Sequence, residues 1–179
     1  MQVVTYNSES QTLVVDFPTY PRYEVYDLPL AVYEAMCQAS SPQKYFYEHI
    51  WGNKFEHCTH WPDLESLLHY MGEAMSFDPP VSVSTRQGDG DTPLHTVCVW
   101  GDTRAIELLV AGGADINARG DLDTTPIYNA VSFGRVRSVK LLLSAGATVD
   151  DENRLSTSAC ASALASANPE LVALFSREA

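Results

Sequence analysis

Basic residues are scarce in this chain. Of 179 residues, 11 are Lys or Arg and 23 are Asp or Glu, a formal net charge of −12. So negative a surface is repelled by nucleic-acid phosphates and by anionic membranes. The charge therefore points to a basic protein as partner and away from nucleic acid and membrane. Long apolar runs are also missing, and none approaches the ~18 residues of a membrane span. Met1-Gln2-Val3-Val4-Thr5-Tyr6 has neither the basic start nor the apolar stretch of a secretory leader. The four cysteines, Cys37, Cys58, Cys98 and Cys160, are widely separated. They read as free, buried thiols of a cytoplasmic protein. Catalytic signatures are absent as well: there is no Gly-x-Ser-x-Gly elbow, no P-loop and no dinucleotide fingerprint. A non-enzyme with no catalytic residue, cofactor, metal or small-molecule ligand is expected.

What the chain does have is a repeat. Asp91-Thr92-Pro93-Leu94-His95 leads to Trp100-Gly101-Asp102, Ile106-Glu107-Leu108-Leu109 and Gly113-Ala114-Asp115-Ile116-Asn117. Thirty-three residues on come Thr125-Pro126-Ile127-Tyr128, Phe133-Gly134, Val139-Lys140-Leu141-Leu142-Leu143 and Gly146-Ala147. A worn third copy follows, with Ser158, Ala159 and Cys160 in register and Pro169 opening a helix through Leu171, Val172, Leu174 and Phe175. This pattern resembles the ankyrin repeat, with its Thr-Pro-Leu-His opening and its period of about 33 residues. The resemblance implies an all-α solenoid over 89–179, in repeats 89–121, 122–154 and a degenerate 155–179, that presents a protein-binding surface.

The first 57 residues read as a separate α+β unit. Gln11–Phe17 alternates as a strand with Leu13 and Val15 on one face, and Val3–Tyr6 and Arg22–Tyr26 are further strands around a turn at Pro18–Pro21. Pro29 opens a helix to about Ala39 with Leu30, Val32, Tyr33, Met36 and Cys37 at helical spacing. Ser41-Pro42 opens a second, carrying Tyr45, Phe46 and Ile50. Thr12–Phe17, Tyr23–Pro29, Val32-Tyr33-Glu34, Tyr45-Phe46 and Ile50 together resemble the KTSC domain, a module that also occurs at the C-terminus of some lysyl-tRNA synthetases. Tyr23 fits that family's central Tyr-x-Tyr, and Val25 stands in place of the second ring. Residues 58–88 form a junction. There Leu64, Leu67, Leu68, Met71 and Met75 make one apolar stripe of a helix, capped by Asp63 or Thr59, that serves as a cap or degenerate first repeat.

Candidate partner-binding residues fall into two sets. Trp100 and Phe133 precede the helix-turn glycines of successive repeats, so stacking places them about 10 Å apart as an aromatic pair. Tyr128, in the second repeat, is a further candidate. The hairpin tips carry Asp89, Asp91, Asp121, Asp123, Asp150, Asp151 and Glu152, which a solenoid aligns into an acidic row. Asp is also an ordinary turn residue. Arg104, Arg135, Arg137 and Lys140 make an opposing basic flank. His57-Cys58-Thr59-His60, with His69 nearby, carries zinc-ligand residue types at a spacing that matches no familiar zinc pattern.

The combination resembles bacterial ankyrin-containing immunity proteins. The function expected is to bind and inhibit a cognate toxin, with a basic nuclease as candidate target, by occluding its active site. A general ankyrin adaptor bridging two proteins is the alternative. An RNA- or tRNA-associated role through the KTSC-like unit is a third reading.

Overall fold

The computed structural model describes residues 3–17, 20–51, 55–75 and 77–176. The turn expected at Pro18–Pro21 lies partly outside them. Strands β1 (Val3–Asn7), β2 (Thr12–Asp16), β3 (Tyr23–Val25) and β4 (His57–Thr59) form an antiparallel meander in that order. Leu13 pairs with Val25 and Val15 with Tyr23, so all four side chains share one face. Helices α1 (Leu30–Gln38) and α2 (Pro42–His49) provide Met36 and Phe46 to the core that this face builds, and Ile50, at the end of α2, closes it. Pro29 is the residue before α1 rather than its first turn. Leu30 and Cys37 are exposed, so the buried stripe of α1 is narrower than the sequence spacing implied, and the Cys37 thiol is not a core group.

The remaining helices stand in two rows. α4 (Pro93–Trp100), α6 (Pro126–Ser132) and α8 (Ala159–Leu164) pack successively in one, and α3 (Leu64–Ala74), α5 (Thr103–Ala111), α7 (Val136–Ser144) and α9 (Pro169–Phe175) in the other. Asp63 caps α3 by accepting from the Ser66 N–H at 2.8 Å. A single apolar core runs from Leu67 and Met71 through Leu94, Ile106, Ile127 and Val139 to Leu171 and Phe175. The worn third copy is therefore a full structural repeat. Its hairpin closes as the others do: Gln87, Gly120 and Asn153, each 33 residues on, donate to the carbonyls of Asp91, Thr124 and Thr157 at 2.8–2.9 Å.

The Thr-Pro-Leu-His opening acts as a cap. The Thr92 N–H donates to His95 Nδ1 at 3.1 Å, which leaves the ring proton on Nε2 to reach the Thr124 carbonyl of the next repeat at 3.1 Å. Gly101, at φ +78°, ends α4 in the left-handed conformation, and a Cβ there would meet the Arg135 side chain.

The N-terminal sheet docks on the repeats through two carboxylates. Asp102 caps α5 by accepting from the Ala105 N–H at 3.2 Å. The same side chain, 1% exposed, also accepts from the Thr59 N–H at 3.2 Å and the Trp61 Nε1–H at 3.1 Å. The His57 N–H donates to the Gly101 carbonyl at 2.9 Å. One repeat later the position equivalent to Asp102 is Arg135, which gives α7 no side-chain cap. Glu56 fills that role from the other unit, accepting from the Arg137 N–H, the Ser138 N–H and the Ser138 hydroxyl at 2.9–3.0 Å. A boundary at residue 57 thus cuts β4; the sheet runs to Thr59, and β4 belongs to both the sheet and the docking contact.

Removing Asp102 strands three donors in a buried site, whereas removing Glu56 uncaps a partly exposed helix end. Asp102→Ala should cost about 3 kcal/mol or more and Glu56→Ala about 1 kcal/mol, measured by urea unfolding of the full chain. Equal or negligible effects would contradict this account of the docking. A second expectation concerns pH. Burial holds His57 and His95 below the ordinary histidine range. Their unfolded forms take up protons near pH 6.5 while the folded forms resist, so stability is full above that value and falls as pH drops through it. The unfolding temperature should therefore be lower at about pH 5.5 than at about pH 7. A flat profile would mean that the two rings are not held neutral.

Candidate protein-binding surface

Three hairpins project from the helix rows, and arginines bind them into one row. Arg86 donates from Nη1 to the carbonyls of Gly90 and Arg119, each at 2.6 Å. Arg119, 33 residues on, repeats the arrangement toward Asp123 at 2.9 Å and Glu152 at 3.2 Å. Each guanidinium thus ties its own hairpin to the next. Asp91 accepts from the Asp121 N–H at 2.9 Å, Asp123 pairs with Arg154 at 2.8 Å, and Asp151 pairs with Arg119 at 3.5 Å. Asp89 accepts from the Asp91 N–H within its own turn.

The acidic row is therefore of two kinds. Asp91, Asp123 and Asp151 hold the hairpins together. Asp89, Asp121, Asp150 and Glu152 are exposed at the tips. Like charges in a row repel, and the interleaved arginines offset part of that repulsion while leaving the outer carboxylates to solvent.

Between those carboxylates stand two leucines that the sequence reading passed over. Leu122 is 43% exposed and Leu155 57% exposed. They occupy equivalent positions 33 residues apart. Leu122 sits at φ +51°, a region a branched apolar side chain rarely adopts. The tips are joined there too, by the Arg154 N–H donating to the Leu122 carbonyl at 2.9 Å. The signal was available as an apolar residue recurring in otherwise polar turns.

The aromatic pair is divided. Trp100 is half-buried and turns into a cavity between the N-terminal sheet and the first repeat, where Trp51, Trp61 and Tyr70 also lie. Phe133, 48% exposed, lines a separate groove with Tyr26, Glu56 and Arg137. Tyr128 is half-buried on α6. The basic flank is divided between the two units: Arg137 reaches the N-terminal unit, while Arg104, Arg135 and Lys140 have partners within the repeats. Arg137 forms a two-pronged contact with Asp27 at 3.2 Å and lies 4.5 Å from the Tyr26 ring centroid, and buried Arg135 donates to the Val99 carbonyl at 3.0 Å. Arg104 pairs with Glu107 at 3.4 Å. Strand alternation separates the metal-type residues: His57 points inward, Cys58 to the opposite face, and His60 pairs with Glu24 at 3.0 Å.

The stacked helix pairs and their joined hairpins define a repeat protein carrying an α+β unit docked at its first repeats. A family model for ankyrin repeats, in three copies, matches residues 63–153, just over half of the chain, which belongs to the ankyrin-repeat family. The match begins at Asp63, so α3 is part of the repeat array; α8 and α9 continue the stack beyond its end. A KTSC domain matches residues 1–55. No curated protein matches the chain. Ankyrin repeats are a non-catalytic fold for protein interaction, so the chain is a protein-binding module. Among the described residues no helix is long and apolar enough to cross a membrane.

Proposed function

We propose that this protein is a cytoplasmic bacterial immunity protein that binds a cognate toxin and blocks its active site. The observation that carries this reading is the hairpin row itself. It joins exposed Leu122 and Leu155 to the outward carboxylates Asp121, Asp150 and Glu152 on a backbone tied by Arg86 and Arg119. Apolar anchors ringed by acids suit a basic protein surface: the leucines supply affinity and the carboxylates speed encounter. A basic nuclease fits, since its active site is built for phosphates. Phe133, exposed in its separate groove with Tyr26 and Arg137, is a second point of contact for the partner.

Affinity capture of the tagged chain from its native lysate, read by mass spectrometry, tests the reading. One stoichiometric partner whose toxicity is abolished by co-expression is the expected result. Several substoichiometric partners without toxic activity would replace the inhibitor with an adaptor.

Two variants test the surface once a partner is in hand. Leu122→Asn suits the left-handed conformation, so it should leave stability unchanged or raise it by up to about 1 kcal/mol. It should also weaken the complex by about 1.5 kcal/mol or more, the scale for burying a leucine. Calorimetry of unfolding and of binding separates the two effects; unchanged affinity removes Leu122 from the interface. Asp121→Lys combined with Glu152→Lys should slow association at low salt with a smaller effect on dissociation. An unchanged association rate would remove the acidic tips from the mechanism.

A further inference from the structure

The cavity that receives Trp100 is not accounted for by the hairpin surface. It measures about 270 Å3 and lies where the N-terminal sheet meets the first repeat. Its walls are rings: Tyr20, Trp51, Trp61, Tyr70 and Trp100, with Asp102 beneath them. Trp61 and Tyr70 lie 5.1 Å apart between centroids, Tyr20 stands edge-on to Tyr70 at 6.2 Å, and Trp51 stacks on Tyr23 at 4.5 Å. The rings come from both units, so the site exists only when the two are docked. Tyr20 is exposed and Trp51, Tyr70 and Trp100 are half-buried, so the cavity opens to solvent.

The described residues that line the cavity carry charge of one sign. No Lys or Arg is among the described residues that line the cavity, and Asp102 is the carboxylate there. Burial keeps the His57 ring neutral beside it, with Nε2 3.7 Å from Asp102 Oδ2. The Arg135 guanidinium behind Val99 is opposed by Glu56. Aromatic rings carry negative quadrupole on their faces, and a buried carboxylate adds negative charge in a low-dielectric setting. Asp102 is only 1% exposed and already accepts three N–H groups, so it offers little to a ligand that must donate hydrogen bonds. A primary ammonium would lose its hydration there without replacement. A fully alkylated ammonium has no donors to satisfy.

We propose that this cavity binds a quaternary ammonium group, held among the faces of Tyr70, Trp61, Trp51 and Trp100 over the Asp102 charge. The group is either that of a free small molecule or that of a trimethylated lysine on a protein. The site is independent of the hairpin surface and of the toxin reading.

The test is a titration of the full chain with choline, with its neutral isostere in which tert-butyl replaces trimethylammonium, and with one peptide carrying either trimethyl-lysine or lysine. Calorimetry and tryptophan fluorescence report binding. Choline or the trimethyl-lysine peptide should bind saturably with a change in tryptophan emission. The isostere and the unmodified peptide should each bind at least about tenfold more weakly than their cationic, methylated counterparts. Trp100→Leu and Tyr70→Leu, checked for cooperative unfolding, should each weaken binding by about tenfold. Tighter binding of the modified peptide than of choline assigns the site to a protein side chain, and the reverse assigns it to a free molecule. The proposal is overturned if neither cation saturates, if the isostere binds as well as choline, or if both ring variants bind as the parent does.

Discussion

A single buried carboxylate joins the two halves of this molecule. Asp102 caps α5, as an acid at a helix N-terminus is suited to do, and the same two oxygens receive the Thr59 N–H and the Trp61 indole. Burying a charge is unfavourable unless its hydrogen bonds are made, and here they are made by both units. If the sheet lifts away, Asp102 loses two of its three donors. The first repeat and the N-terminal unit therefore stabilise each other. Glu56 repeats the device one repeat later, where Arg135 leaves α7 uncapped. In the third repeat Asn168 caps α9 unaided, so the dock spans two repeats and stops.

The repeat was legible because period, caps and turns agree. Thr92, Thr125 and Ser158 mark the first helices, Gly101 and Gly134 the turns, and their 33-residue spacing carried the reading into the worn third copy. The strands of the first unit were legible by alternation, as Leu13 and Val15 show. β4 was not. It is three residues long, it carries His and Cys, and its partners Tyr23–Val25 lie more than thirty residues away. No local pattern encodes a strand whose existence depends on a neighbour so distant.

The candidate surface was legible only in part, for a related reason. Trp100 and Phe133 are equivalent in the repeat, yet the docked unit breaks that equivalence by enclosing one ring and leaving the other open. Equivalent residues have equal surroundings only in an array without appendages. The acids recur at the tips of successive hairpins, but spacing could not say which of them face Arg119 or Arg154 and which face water. Nor could it foresee a cavity whose rings come from four separate stretches of chain.

Rigidity is what these features have in common. Arg86 and Arg119 fix the hairpins at the distance of one repeat, so the row is already ordered before a partner arrives. Ordering loops on binding is a large part of the cost of association, and a pre-ordered row avoids it. The same arginines offset the repulsion that aligned aspartates would otherwise bring to the free protein. The dock through Asp102 and Glu56 fixes the N-terminal sheet against α5 and α7 by the same principle. A molecule held this way presents two surfaces of different chemistry: acidic tips with leucine anchors on the second and third repeats, and an aromatic cavity at the first. Each is set by contacts the other does not share, so a substitution in one should leave the other's geometry intact.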